Sequence, residues 1–102
     1  MNTIPLHTIL KLMAHPERMA ILIQLLDSER NIVELAKSLS LTATAVSCHL
    51  NRLRAGGLVD FTRYHRIIEY RLVSEDAATI LRTIRDLENK RAIVLESFSF
   101  AV

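Results

Sequence analysis

The chain has 102 residues, half of them hydrophobic, with two glycines, two prolines and one cysteine, which favours a single helix-rich domain and excludes a disordered segment or an intrachain disulfide framework. The formal net charge of +2 says little about partners by itself. The apolar run over residues 1–13 contains Lys11, is too short to span a bilayer and has no signal-peptide cleavage pattern, so we expect a cytoplasmic protein without membrane contact.

Apolar residues at helical spacing predict three helices in the first forty residues. The first covers about residues 4–13. The second begins at Pro16, because proline is tolerated at the first helical position, and it runs to about Leu26. The third begins at Asn31, which forms a capping-box pattern with Glu34, and it ends near Ser40.

A fourth helix is predicted between Thr42, a good N-cap, and the pair Gly56-Gly57, where glycine ends a helix by taking the left-handed conformation. Its apolar stripe consists of Val46, Leu50 and Leu53. The opposite face carries Thr44, Ser47, Cys48 and Asn51. Glu or Lys would suit a solvated helix better, whereas short polar groups can approach base edges in a major groove, which admits a helix.

Two strands are predicted next, at residues 58–62 and 67–72, because the apolar pattern changes to alternation. Arg63 and Arg66 bracket the predicted turn at Tyr64-His65, so the hairpin resembles a wing with cations at its tip. Ser74 is the predicted cap of a final helix over about residues 75–95. A helix, a tight turn, a second helix and a hairpin together indicate a winged helix-turn-helix.

Positive charge is concentrated in the fourth helix and the hairpin. Residues 37–71 contain six basic and two acidic residues, whereas the remainder contains seven basic and nine acidic ones. This is the footprint expected for contact with phosphates, although a solvated basic surface would look the same.

Three blocks occur in the order and at the spacing of a known family: LKLMAHPERMAILIQLL (residues 10–26), LTATAVSCHLNRLRAGGLV (41–59) and RIIEYRL (66–72). The sequence resembles ArsR/SmtB-type bacterial transcription repressors over about residues 10–87, and within them the branch without metal ligands, which includes regulators of the HlyU and BigR type. The resemblance implies a DNA-binding regulator that acts as a homodimer on a pseudo-palindromic operator. No enzyme is expected, because the sequence has no Ser/His/Asp order, Gly-rich phosphate loop or carboxylate pair. The residues expected to contact DNA are Thr42, Thr44, Ser47, Cys48, His49, Asn51, Arg52, Arg54, Arg63, His65 and Arg66.

The resemblance implies pairing of two copies through the first and last helices. These helices also carry more apolar residues than a monomer of this size is expected to bury, although an ordinary core remains the alternative. The expected interface residues are Leu6, Ile9, Leu10, Ile80, Ile84 and Leu87.

No metal and no other cofactor is expected. Family members commonly sense metals through clustered cysteines or through Asp, His and Glu on the last helix, but this chain has one cysteine and no histidine in residues 74–95. His7, His15, His49 and His65 are scattered along the sequence, without a ligand spacing such as i and i+4. We expect a structural role for His15 and a half-buried, hydrogen-bonded environment for His49.

Cys48 is the one candidate for a redox switch. It is predicted on the outer face of the fourth helix, where a nearby arginine can favour the thiolate and where oxidation would add bulk against DNA. The alternative is a small packing residue, since one thiol without a resolving partner is a weak signal. A second class of function is a winged helix that binds an acidic protein. It is disfavoured because the outer face of the fourth helix carries small polar residues, whereas protein interfaces are enriched in aromatic residues and Met.

Overall fold

The computed structural model describes the backbone of residues 3–100 and the side chains of residues 3–95. Its elements are α1 (Leu6–Met13), α2 (Pro16–Asp27), α3 (Ile32–Leu39), α4 (Ala43–Ala55), β1 (Val59–Tyr64), β2 (Ile67–Leu72) and α5 (Glu75–Phe100). The five predicted helices and the hairpin are confirmed in their predicted order. The largest differences are that α1 begins two residues later than predicted, β1 ends two residues later, and α5 continues five residues further.

Side-chain caps set the beginnings of four helices, α2 to α5; the cap of α2 is His15. The Asn31 Oδ1 atom accepts a hydrogen bond from the Glu34 N–H at 2.8 Å, and the Glu34 carboxylate accepts one from the Asn31 N–H at 3.0 Å, which confirms the capping box. Thr42 Oγ1 accepts from the Ala45 N–H at 3.1 Å, and Ser74 caps α5 in the same way. Each such cap stabilises a helix by about 0.5–2 kcal/mol, because it satisfies an N–H group that has no partner within the helix.

One apolar core lies between the helices and the base of the hairpin. The predicted stripe of α4 is completely buried in it, as Val46, Leu50 and Leu53 are each 0% exposed. Burying a side chain of this size stabilises the fold by about 1.5–3 kcal/mol. The core also contains Ile9, which is 1% exposed. Ile9 was predicted in a subunit interface, but this prediction is wrong, because the side chain packs in the apolar core of its own protomer.

The end of α4 is built around Gly57. Gly57 has φ +82°, in the left-handed region, whereas Gly56 keeps a right-handed helical conformation. A Cβ atom on Gly57 would lie 2.7 Å from Cδ1 of Ile4, and one on Gly56 would overlap the side chain of Leu12. Only one of the two glycines is therefore needed for its backbone conformation. The other allows α1 to approach the last turn of α4.

The hairpin turn differs by one residue from the prediction. Tyr64 pairs with Ile67, so the two turn residues are His65 and Arg66, and Arg63 lies within β1. His65 has φ 59°, a conformation that favours glycine at the first position of a two-residue hairpin turn. The alternation of side chains could not define the turn, because the strand pattern continues on both sides of it.

The hairpin is joined to the helix-turn-helix by the loop before α3. Arg30 and Tyr70 exchange two backbone hydrogen bonds of 3.0 and 2.8 Å, so the loop adds a short bridge beside β2. The Tyr64 hydroxyl donates to the Glu29 carboxylate at 3.4 Å. These contacts hold the wing against the end of α2.

Helix α5 packs on α2. Ala77 and Leu81 are buried, and Arg85 forms an ion pair with Asp27 at 3.0 Å. From Leu87 to Leu95, the helix carries apolar side chains that are more than half exposed, namely Leu87, Ile93, Val94 and Leu95. Leu6 and Leu10 of α1 are likewise 60% and 49% exposed. Across the described residues, no helix combines the length and apolarity needed to cross a membrane.

Candidate nucleic-acid interface

A tight turn places α4 across α3. Ser40 has φ 55° and ends α3 in the left-handed conformation, and the Leu41 N–H donates to the Ala36 carbonyl at 2.9 Å. The chain therefore reverses within a few residues, and Thr42 immediately caps the next helix. This compact connection is what a helix-turn-helix requires.

The outer face of α4 is polar and open to solvent. Thr44, Cys48, Asn51 and Arg52 are exposed, whereas Ser47 is half-buried. Hydroxyl, amide and guanidinium groups at these positions can donate to, or accept from, base edges and phosphate oxygens. This face is therefore suited to a nucleic-acid groove, and Ser47 is its least exposed member.

His49 points away from this face. Its Nε2 atom lies 2.8 Å from Glu17 Oε1 at the start of α2, and its side chain is 14% exposed. The expected half-buried, hydrogen-bonded environment is confirmed. In this arrangement His49 fixes α4 against α2, so direct contacts with bases are left to other residues of α4 and the predicted DNA contact of His49 is not supported.

Arg54 connects the end of α4 to the first strand of the wing. Its Nε atom donates to Asp60 Oδ1 at 3.1 Å, and its guanidinium carbon lies 4.4 Å from the centre of the Phe61 ring. The pKa of Asp60 is lowered from its usual value, mainly because its carboxylate accepts the Phe61 N–H and secondly because it accepts from Arg54. Arg54 is therefore occupied in orienting the wing, with about half of its side chain left exposed.

Helix α4 and strand β1 border one shallow groove. It is lined by Asn51, Arg54, Ala55, Gly57, Val59, Asp60 and Val73. The groove therefore runs from the polar face of α4 to the first residues of β1.

The wing tip supplies unpaired positive charge. Arg63, His65 and Arg66 are all exposed, and neither arginine has an ion-pair partner among residues 3–95. Arg71, in contrast, is held on the hairpin surface by a hydrogen bond to the Thr62 hydroxyl. Cations without a protein partner are those best able to contact phosphates.

Three residues that support the site were not predicted from the sequence. Glu17, Glu29 and Asp60 each position a site element from a distant or neighbouring segment. Of these, Asp60 alone left a signal in the sequence, as the one acidic residue between the glycine pair and the wing arginines.

The comparisons with known proteins agree with this geometry. A family model described as "Bacterial regulatory protein, arsR family" matches residues 15–60, which run from α2 into β1. The transcriptional activator HlyU of Vibrio cholerae is 35% identical over 79 residues, covering 78% of this chain and 73% of HlyU. The chain belongs to the arsR family. It is thus a transcriptional regulator with a winged helix-turn-helix DNA-binding domain.

Two solved structures and one further relative by sequence extend the comparison. The structure of reduced HlyU from Vibrio cholerae superposes with a TM-score of 0.78 at 34% identity, covering 80% of this chain and 86% of that one. The homodimeric winged helix-turn-helix domain of Mb0332 from Mycobacterium bovis gives a TM-score of 0.74 at 26% identity, with 85% and 81% covered. The biofilm growth-associated repressor of Agrobacterium fabrum is 33% identical over 76 residues, covering 74% of this chain and 65% of the repressor.

Proposed function

We propose that this arsR-family regulator binds a pseudo-palindromic DNA operator as a homodimer and represses transcription by occupying it. The observation that carries the proposal is the exposed polar face of α4 beside a wing whose Arg63 and Arg66 have no protein partner within residues 3–95. A helix in the major groove with a cationic wing on the flanking backbone accounts for both features. Such a protein acts on the nucleoid, so we expect it in the bacterial cytoplasm.

The exposed apolar side chains of α1 and α5 support the homodimer. Leu6, Leu10 and Leu87 are each about half exposed or more, and the exposed row on α5 continues to Leu95. Exposed apolar patches of this kind mark interaction surfaces. A two-fold axis at these helices would present two α4 helices to successive turns of the operator, about 34–36 Å apart. The half-buried Ile80 and Ile84 would support this surface from beneath.

Base readout is assigned to α4 and backbone contact to the wing. Thr44, Ser47 and Asn51 are proposed to select sequence, and Arg52 is proposed to contact base edges or phosphates from the same face. Arg54 and His49 contribute by holding α4, and His65 presents its imidazole at the wing tip. One relative is named an activator and another a repressor. The experiment must therefore also measure whether this protein lowers or raises transcription.

Selection of duplexes from a random pool by the purified protein tests the proposal. We expect enrichment of an inverted repeat, and binding of the selected duplex at least about a thousandfold tighter than random DNA. A reporter gene downstream of the selected site then shows the direction of the effect on transcription, and a repressor should lower expression of the reporter. If no sequence were enriched and the protein instead captured acidic proteins, the winged helix would be an interaction module and the proposal would be wrong.

A further inference from the structure

Three side chains with metal-binding chemistry meet where α2 begins beneath α4. His15 is the N-cap of α2, and its Nδ1 atom accepts a hydrogen bond from the Glu17 N–H at 3.2 Å. The Glu17 carboxylate reaches His49 on α4 at 2.8 Å, across 32 residues of sequence. The two imidazole rings have centroids 4.8 Å apart. One ligand atom from each of the three residues lies within 4.8 Å of the other two.

The donor set suits divalent transition-metal ions. Two imidazoles and one carboxylate form the set that binds Zn²⁺ in sites with an open fourth position, and imidazole also suits Co²⁺ and Ni²⁺. Ligand atoms about 2.0–2.1 Å from a tetrahedral ion lie about 3.4 Å apart, so a separation of up to 4.8 Å closes with small side-chain rotations. His15 and His49 are half-buried, whereas the Glu17 side chain is 43% exposed, so the cluster is open to hydrated ions.

We propose that His15, Glu17 and His49 form a binding site for one divalent transition-metal ion per protomer, with water as the fourth ligand. His15 also lines an open groove with Pro16, Met19 and Glu88, which gives hydrated ions access to the cluster. The site differs from the clustered-cysteine and last-helix sites considered above, since it uses neither Cys48 nor a residue of α5. It also revises the expectation that the chain binds no metal.

Binding exchanges hydrogen bonds for coordination. His15 accepts the Glu17 N–H through an Nδ1 lone pair, which places the ring proton of a neutral imidazole on Nε2. If the ion takes Nε2, that proton moves to Nδ1 and the cap is lost; if it takes Nδ1, the cap is displaced directly. His49 likewise stops donating to Glu17. We therefore expect affinity in the micromolar range, below that of a site whose ligands have no other partner.

The position of the site predicts its effect on the protein. The ion would join the first turn of α2 to the middle of α4, in place of the single hydrogen bond between His49 and Glu17. A ligand that binds the folded chain and not the unfolded one raises the thermal midpoint with its concentration. Zn²⁺ should therefore raise the thermal midpoint of the protein, and this increase should depend on all three ligand residues.

The test is titration of the full chain, free of any histidine tag, with Co²⁺ monitored by its visible absorption, followed by displacement with Zn²⁺. We expect saturation at one ion per protomer and a higher thermal midpoint with Zn²⁺. Glu17→Gln and His49→Gln should each weaken binding by about 10–100-fold, at least the loss seen for residues that merely support a ligand. His15→Ser removes the imidazole but retains a good N-cap, so it separates coordination from folding.

Matched controls are His7→Gln and His65→Gln, which remove exposed histidines outside the cluster, and Cys48→Ser, which removes the thiol next to His49. All three should bind Co²⁺ as the parent does. Circular dichroism must show each variant folded. The proposal is wrong if the folded parent shows no saturable Co²⁺ absorption, if binding is unchanged in both Glu17→Gln and His49→Gln, or if Cys48→Ser abolishes it.

Discussion

Arg54 and Asp60 join the reading helix α4 to the wing, with 3.1 Å between Nε and Oδ1. The same carboxylate accepts the Phe61 N–H at 2.8 Å, so one acidic side chain orders both the last turn of α4 and the first residues of β1. The angle between helix and wing therefore depends on the ionised form of Asp60. This dependence gives the first prediction.

Asp60→Asn should lower stability at neutral pH but not in strong acid. The pKa of Asp60 is lowered in the folded protein, so its contribution is present above the usual value of 3.8 and is lost as the pH falls through the folded value. The pair is about half exposed, so the effect at pH 7 should be small. Urea unfolding of parent and variant across this pH range measures it. A difference that persisted unchanged below the folded pKa would show that the charge of Asp60 is not the cause.

The fold could be predicted from local signals, because cap residues and apolar periodicity act within one or two turns of chain. Asn31 with Glu34, and Thr42 ahead of a buried stripe, are examples confirmed by hydrogen bonds and burial. The hairpin turn was placed one residue early, because it uses His65 at positive φ rather than the glycine or asparagine that marks such turns.

The site was predicted less completely, because its supporting contacts are non-local. Glu17 and His49 lie on different helices, and no spacing rule relates them. Arg54 counts as a surface cation in sequence, yet its guanidinium packs on Phe61 and pairs with Asp60. Ile9 follows the apolar pattern equally well for a core or an interface, and only the packing of α1 assigned it to the core.

The wing arginines should control affinity without controlling sequence preference. Arg63→Ala and Arg66→Ala should each weaken binding to selected and random duplexes by the same factor. Each should also reduce the slope of log affinity against log salt by about 0.9, because one fewer phosphate releases its counterions. Fluorescence anisotropy at several salt concentrations measures both effects.

Arg82→Ala is the matched control for these variants, since Arg82 is an exposed cation on α5. It should leave the slope nearly unchanged. Equal slopes for the parent and both wing variants would remove the wing from the DNA interface.

Sequence preference should instead depend on α4. Asn51→Ala should change the ranking of single-base operator variants, because an amide that makes two hydrogen bonds to a base distinguishes it by about 1–3 kcal/mol. Ser47→Ala should have a smaller effect, since Ser47 is half-buried. Binding to a panel of operator duplexes measures the ranking. The assignment of α4 as the reading helix fails if Asn51→Ala and Ser47→Ala weaken all duplexes equally.

Assembly should depend on exposed apolar residues of α1 and α5. Leu10→Glu and Leu87→Glu should yield folded monomers, because these side chains are 49% and 55% exposed in one protomer and a charge disturbs them only across an interface. Val33→Glu is the control, as Val33 of α3 is 73% exposed and lies outside the proposed interface. Sedimentation equilibrium gives the masses, and a dimer that survives both Leu→Glu changes with parental affinity would exclude this pairing.

Cys48 should determine whether the protein responds to oxidants. Its side chain is exposed on the outer face of α4, so a sulfenic acid, formed when a peroxide oxidises the thiol, adds bulk where close base contact is needed. Oxidant treatment should release the operator, and a reducing agent should restore binding. Cys48→Ser should bind the operator as the parent does, because serine has nearly the same size and donates a hydrogen bond, and it should ignore the treatment. Mass spectrometry of the treated parent identifies the adduct, and the gel shift reports release. If oxidant released Cys48→Ser as readily as the parent, the thiol would have no part in the response, and Cys48 would be a contact residue only.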